Sequence, residues 1–351
     1  MGGGSLALSE LVREVRRIGG GGRGALGGLF LCLVLAGWLA SALGPVAPGS
    51  TAYRLVRVPP RATAAWIGGQ LARRGIIASP LAFRVLADLQ GVGGKLQAGV
   101  YRLGPGQSPR QILALLAAGR VYTERVTIPE GFTVGEIATL LAQHGITGRH
   151  GFLQAAQGSY GLTFLRPTPA GVRYRLEGYL FPATYRFSPG EPATQVAAAM
   201  VARYRQAFTA ADATRAAAQG LTESQVVILA SIVQQEAKPA SFSQVAAVFL
   251  NRLRLHMPLD ANATVNYVLA TPQAWLSPKA LADPSPYNTY LHPGLPPGPI
   301  CSPGEAAIRA VLHPARVGYL YFLTIPGGRT LFSNTYQEQL ALVRRYAPKA
   351  G

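Results

Sequence analysis

The residue best placed for acid–base chemistry in this chain is Glu236. It closes the stretch Leu221 to Pro239, LTESQVVILASIVQQEAKP, which reads as one amphipathic helix. Thr222 followed by Gln225 is a capping-box pattern, Gly220 closes the segment before it, and Lys238-Pro239 marks the stop. Counting back by helical spacing, Val233, Ile232, Leu229 and Val226 share its face, so the carboxylate extends a stripe that points into a core. Desolvation there favours the neutral acid, and the negative end of the helix dipole pushes the same way. Both raise the pKa of Glu236 toward the range useful to a general acid. A glutamate that turns outward or pairs with Lys238 is the alternative the helix alone leaves open.

A second group of residues suits a carbohydrate. Tyr287, Asn288, Thr289, Tyr290 and His292 lie close together in a loop dense in Pro and Gly, SPYNTYLHPGLPPGPICSPG. Aromatic faces beside neutral hydrogen-bonding groups are what sugars require. The elements that must hold these residues read as follows. RYRLEGYLFPATYRFSPG alternates in the manner of sheet and turn, and one long Ala-rich helix spans about 193 to 218. FSQVAAVFLNRLRLHMPL is an amphipathic helix with Val245, Val248, Phe249 and Leu253 buried, leaving Asn251 and Arg252 near its end. LDANATVNYVL is loop-like. Strands in VGYLYFLTI and RTLFSN and a helix from Tyr336 to Tyr346 close the chain.

Upstream lies an internal repeat. Val58-Pro59, Thr63, Ile67, Leu71 and Gly75-Ile76 recur 70 positions later as Ile128-Pro129, Thr133, Ile137, Leu141 and Gly145-Ile146. Each copy reads as a strand, a turn and a helix ending at Gly75 or Gly145. Between them KLQAGVYRLGPGQSPRQILALLAAG gives a strand, a turn and a helix capped by Ser108. Such βα units are usually binding modules, and nothing in them resembles a catalytic constellation. Before the repeat, no charged residue occurs from Gly24 to Tyr53, and the apolar run is long enough to cross a hydrocarbon core of about 30 Å. Arg13, Arg16, Arg17 and Arg23 precede it, which places the N-terminus in the cytoplasm and the remainder outside. Ala40-Ser41-Ala42 resembles a processing site, but the run is longer than a usual signal core and is read as a retained anchor.

The formal charge of +18 over 351 residues points to a polyanionic partner, either nucleic acid or a membrane or wall surface. The basic residues are spread, and no helix-turn-helix, zinc or RNP signature accompanies them, so nucleic acid is not expected. Cys32 and Cys301 are the two cysteines. Cys32 falls in the apolar run, which makes a disulfide between them geometrically implausible, and neither has the neighbours of a metal site.

The segments LEGYLFPATY, ILASIVQQEA, VAAVFLNRLRLHMPLDANATVNYVL, YNTYLHPGLPPGPICSPG, HPARVGYLYFL and LFSNTYQE occur in the order of the membrane-anchored endolytic murein transglycosylase family, MltG or YceG-like, which this chain resembles. LQAGVYRL and VTIPEGFTVGEIATLLAQHGI look like that family's LysM-like region. The resemblance implies an α+β chain in four parts: a basic cytoplasmic tail (1–23), a transmembrane helix (24–46), a LysM-like region containing the repeat (51–160) and a catalytic domain (161–351). It implies lytic cleavage of the β-1,4 bond between N-acetylmuramic acid and N-acetylglucosamine, leaving a 1,6-anhydromuramyl end, with Glu236 as the acid and no cofactor. The implied setting is the cytoplasmic membrane, with peptidoglycan strands as substrate and peptidoglycan synthases as candidate partners. Three positions depart from the family pattern: Gln234 stands where an acid is usual, Asn262-Ala263-Thr264-Val265 replaces an Asp-Pro-Thr-Val segment, and Gln339 replaces a histidine.

Asn251, Asn262, Tyr267 and the run Tyr287, Asn288, Thr289 and Tyr290 are the candidates for holding the sugars, with the loop from Gly294 to Ile300 as a wall. Each has a structural alternative, since Asn and Tyr in such loops often satisfy backbone groups. Glu177 is the candidate second acid, with backbone N–H groups as its alternative partners. Two rivals remain: a hydrolase in which Glu236 works with Glu177 or Asp260, and a wall-binding anchor without activity.

Overall fold

A computed structural model of the chain describes residues 34, 37–38, 41–165, 168–269, 273, 276–325 and 328–346. The expected tail 1–23, most of the expected membrane helix 24–46, and Cys32 lie outside the described residues. Among those described, no single helix is long and apolar enough to cross a membrane. The fold is α+β, built from helices and three two-stranded antiparallel sheets.

The chain divides into two compact units, residues 1–123 and 124–351. In the first unit, β1 (Arg54–Val58) pairs with β2 (Gly99–Leu103), and three helices follow the pattern: α1 (Ala64–Arg73), α2 (Pro80–Leu89) and α3 (Pro109–Ala117). Thr63, Ser79 and Ser108 cap them by accepting backbone N–H bonds. Val56, Ile67, Leu71, Phe83, Tyr101 and Ile112 fill a core of their own.

The second unit opens on the second copy of the repeat. Its β3 (Glu124–Thr127) leads to α4 (Val134–Gln143) and α5 (Arg149–Ala155), and it pairs with β4 (Thr184–Phe187), which is followed by α6 (Ala193–Ala207). The repeat is therefore longer than its sequence signature. Both copies run strand, helix, helix, strand, helix. Val56 faces Tyr101 in one hairpin, and Val126 faces Tyr185 in the other. Each of these tyrosines donates its hydroxyl to the carbonyl four residues earlier, Gln97 or Phe181. The offset between copies is 70 at the first strand and 84 at the second. Inserted chain between α5 and β4 erased the register that sequence comparison depends on.

This corrects the expected boundary after residue 160. Val126, Ile137, Leu141 and Phe152 are buried in one core with Met200, Val226 and Phe249, so the second copy shares its interior with the C-terminal part. The long Ala-rich helix is also two helices, α6 and α7 (Ala210–Ala218). Phe208 is extended between them, and Thr209 with Asp212 forms a capping box that starts α7 afresh.

α8 (Glu223–Glu236) carries the expected box of Thr222 and Gln225. It is not amphipathic through its middle, because every residue from Val226 to Val233 is buried. The neighbours that cover it are α9 (Phe242–Arg254) and α12 (Glu305–Leu312), the latter absent from the sequence reading. A short helix, α10 (Asn262–Asn266), occupies a stretch read as loop, and another, α11 (Pro278–Leu281), follows it. β5 (Tyr321–Thr324) and β6 (Thr330–Ser333) form the last hairpin, joined to α13 (Tyr336–Tyr346) by Gln339.

Candidate active site

The second unit contains a cleft of about 870 Å³, and Glu236 opens into it from the last residue of α8. Its Oε1 accepts a 2.8 Å bond from the backbone N–H of Ala263, at the start of α10. Burial raises the pKa of Glu236, and the Ala263 bond works against that rise. The direction agrees with the reading from helical spacing. The route differs, since α8 is enclosed on all sides from Val226 to Val233 and only its two ends meet solvent.

Three walls surround the carboxyl. One is the β3–α4 turn with the first turn of α4: Glu130, Gly131, Phe132, Thr133 and Glu136. Gly131 adopts φ 81, donates its N–H to Ser302 and accepts a 2.7 Å bond from Gln235 Nε2, so the turn is fastened directly to the end of α8. The second wall is formed around α10 by Asp260, Asn262, Ala263, Asn266 and Tyr267, with Tyr290 behind them. Tyr290 donates a 2.6 Å bond to Asn262 Oδ1. The third comprises β5, Tyr336 and Gln339.

Arg252 joins the second wall to the third. It is 6% exposed and donates to the carbonyls of Leu320, Pro258 and Leu259 and, at 2.8 Å, to Asp260 Oδ2. Its guanidinium also lies 4.9 Å from the Tyr321 ring centroid. Asp260 holds a left-handed φ of 49, a conformation that costs a non-glycine residue about 1–2 kcal/mol and persists only under such tethering. Burial raises the pKa of Asp260, while Arg252 opposes the rise.

A cleft with a raised-pKa carboxyl at the end of a buried helix is a site, and comparison with known proteins gives it a family. The YceG-like family model matches residues 56–345. The chain belongs to the YceG-like family. A protein of Bacillus subtilis strain 168 named endolytic murein transglycosylase is 28% identical over 318 residues, covering 87% of this chain and 88% of that protein. A protein of the same name from Streptococcus pneumoniae is 29% identical over 346 residues, covering 88% of this chain and 62% of its own length. The crystal structure of a YceG-like protein from Listeria monocytogenes superposes with a TM-score of 0.57 at 28% identity, over 84% of this chain and all of that one.

In this YceG-like chain the residues singled out from sequence separate into two groups. Glu236, Asn262, Tyr267 and Tyr290 line the cleft together, and Ile300 is where the 294–300 loop reaches it. Asn251, Tyr287, Asn288 and Thr289 do not line it. Asn251 donates to the carbonyls of Val317 and Tyr319 and fixes the approach to β5. Asn288 is fully buried and donates to Leu281 and Asp283. Thr289 bonds Ala261 N–H and Thr264, holding the chain that leads into α10. Tyr287 is buried with its ring 4.9 Å from that of Tyr267. These four position the wall from behind, as the structural alternative required.

Glu177 does not flank the cleft either. It is 1% exposed and accepts bonds from Val134 N–H and Tyr267 hydroxyl. Of the three positions that depart from the family pattern, Gln234 accepts the Gly304 N–H, Asn262 accepts from Tyr290, and Gln339 ties α13 to the last hairpin. Sequence reasoning missed the turn from Glu130 to Thr133 as a wall of the site. Its signal was present in Gly131 and in the box of Thr133 and Glu136, and was absorbed into the repeat. Arg252 lies near the end of α9 as read, and the structure adds that it is a buried hub.

Proposed function

We propose that this chain is a membrane-anchored endolytic lytic transglycosylase. It cuts the β-1,4 bond between N-acetylmuramic acid and N-acetylglucosamine within glycan strands and leaves 1,6-anhydromuramyl ends. The observation that carries the reading is the Glu236 carboxyl, held by one amide at the mouth of a buried helix and raised in pKa where a strand would lie. The relatives named as endolytic murein transglycosylases supply the substrate class.

The chemistry follows from one carboxyl. Glu236 Oε1 is occupied by the Ala263 N–H, so the proton resides on Oε2. That proton passes to the glycosidic oxygen as the bond to the muramyl C1 breaks, and the amide stabilises the carboxylate left behind. The carboxylate then takes the proton of the muramyl C6 hydroxyl as that oxygen bonds to C1. The nucleophile belongs to the substrate and is therefore held at high effective concentration. Tyr267, Tyr290 and Asn262 are the groups placed to orient the sugars. An anchor at 24–46 with the N-terminus in the cytoplasm would put the cleft on the outer side, beside nascent strands and the synthases that extend them. The LysM-like region, residues 51–160, would bind the wall.

Asp260 favours a second reading, because it lines the same cleft as Glu236. A hydrolase using both acids would activate water and give reducing ends. Against it stands the ion pair of Asp260 with Arg252, which occupies the carboxylate. Mass analysis of the products from purified glycan strands separates the readings. The full-length protein is expected to release anhydromuramyl products, and Glu236→Gln to lower the rate by about 10²–10⁴-fold. Asp260→Asn should leave the product type unchanged. Reducing-end products from the unaltered protein would establish the hydrolase.

A further inference from the structure

Glu177 is a buried carboxyl that the mechanism does not use, and its two oxygens reach two walls of the cleft. Oε1 accepts a 2.9 Å bond from Val134 N–H, the first residue of α4, just after the wall residue Thr133. Oε2 accepts a 3.0 Å bond from the hydroxyl of Tyr267, whose side chain lines the opposite wall. The mount is rigid. Gly178 follows at φ 85, and a Cβ there would meet Pro299 at 2.5 Å and Val227 of α8 at 3.0 Å. Glu177 is thus clamped against the catalytic helix while it grips both walls.

We propose that Glu177 is a positioning residue that fixes the spacing of the cleft walls by tying the Tyr267 hydroxyl to the start of α4. The proposal rests on the cleft being the glycan site, and it assigns Glu177 a different task from that of a second acid.

The tie also responds to protons. Burial lifts Glu177 to about 7, while the Val134 N–H, the Tyr267 hydroxyl and Arg173 pull it down and Glu136 pushes it up. Tyr287, whose ring lies tilted against that of Tyr267, and Cys301 are the other titratable groups that feel its charge, and burial keeps both neutral. When Glu177 is ionised, Tyr267 donates to it. When Glu177 takes a proton, Oε2–H donates to the tyrosine oxygen instead, and the tyrosine O–H, which keeps its proton, turns toward the cleft. The walls stay tied, but the group that Tyr267 offers a sugar changes from acceptor to donor.

The test uses the full-length protein, Glu177→Gln and Tyr267→Phe. Gln at 177 fixes the donor direction of the protonated form, and Phe at 267 keeps the ring while removing the tie. Tyr267→Phe should raise KM for glycan strands by about 10-fold with kcat within about 3-fold, because orientation rather than proton transfer is lost. KM of the unaltered protein should inflect near the Glu177 value of about 7, and the inflection should be missing from both variants. Combined, the two substitutions should cost little more than Tyr267→Phe alone, as expected for one interaction. Ring-labelled tyrosine NMR reads the tie without turnover: the Tyr267 signal should titrate in the unaltered protein and not in Glu177→Gln. If the protein proved inactive on glycan but the signal titrated, the tie would stand and the substrate would be wrong. A flat Tyr267 signal, or strictly additive effects, would overturn the proposal. Should Glu177→Gln fail to fold, Tyr267→Phe and the NMR titration of the unaltered protein carry the test.

Discussion

The turn from Pro59 to Thr63 and the turn from Pro129 to Thr133 are equivalent parts of two copies of one unit, and only the second lines the cleft around Glu236. Arg61 and Gly131 correspond and share a left-handed conformation, with φ of 61 and 81. In the first copy the position is exposed and tolerates an arginine. In the second, Ser302 and Gln235 bond the backbone of residue 131 directly, and a Cβ would approach Gln235 Nε2 to 3.2 Å. Trp66 and Glu136 correspond as well. Thr63 caps α1 by one bond, whereas Thr133 and Glu136 complete a reciprocal box, and both of the latter face the cleft. The difference teaches that a small βα module comes to line a cleft when another part of the chain packs onto its turn. The copies keep Val56, Pro59, Thr63, Ile67, Leu71, Ala72, Gly75 and Ile76 in common and differ at the other positions between Arg54 and Ile76.

The comparison can be broken most forcefully through Glu177, which bonds the first residue of α4 in the second copy. Its pKa is raised from 4.5 to about 7, so across that window the folded protein keeps a proton the unfolded chain has lost. The stabilisation is complete below the unfolded value and is lost as pH rises through the folded one, a change of about 3 kcal/mol. Thermal unfolding followed over this window should show stability falling with pH, and Glu177→Gln should flatten the slope. Glu236, Glu223 and Asp260 shift in the same direction and account for any remaining slope. An unchanged slope in Glu177→Gln would refute the assignment.

Exchanging the turn residues is expected to have a smaller, asymmetric effect. Gly131→Ala places a side chain at positive φ and should cost about 1–2 kcal/mol, with lowered activity because Gln235 adjoins Glu236. Arg61→Gly relieves strain in an exposed turn and should be neutral or stabilising by up to about 1 kcal/mol. Denaturant midpoints of the two variants check this, and equal losses would mean the copies are constrained alike. The smallest effect concerns the caps: Glu136→Ala should cost about 1 kcal/mol, while Trp66→Glu should complete the missing box and add about 0.5 kcal/mol.

Much of the local structure was legible. The Ser108 and Thr222 caps sit where the reading placed them, because a cap and its partner lie within one turn; Thr63 and Thr133, read only as positions of the repeat, cap α1 and α4. α12 was missed because Pro and Gly dominate the loop before it, and Gly304 caps it without a side chain. The break between α6 and α7 was hidden in alanine, which carries helical propensity but no periodicity. In the cleft, Asn262, Tyr267 and Tyr290 were recognisable by type. Their neighbours Asn288 and Thr289 have the same chemistry and point into backbone, a distinction that depends on which face of the loop is enclosed.

The sequence alone determined where α3 and α8 begin, that one unit was used twice, and that a carboxyl would close an apolar helix. These are short-range facts, set by hydrogen bonds and side-chain spacing within a few residues. Tertiary structure decided that the second copy joins the C-terminal core, that its turn forms a wall of the cleft, and that Glu177 bonds Val134 and Tyr267 while Glu236 opens into the cleft. Both are glutamates with raised pKa, and no local pattern distinguishes them. What separates them is which oxygen meets a protein donor and which meets open space, and that depends on residues 43 and 90 positions from Glu177 and 27 from Glu236.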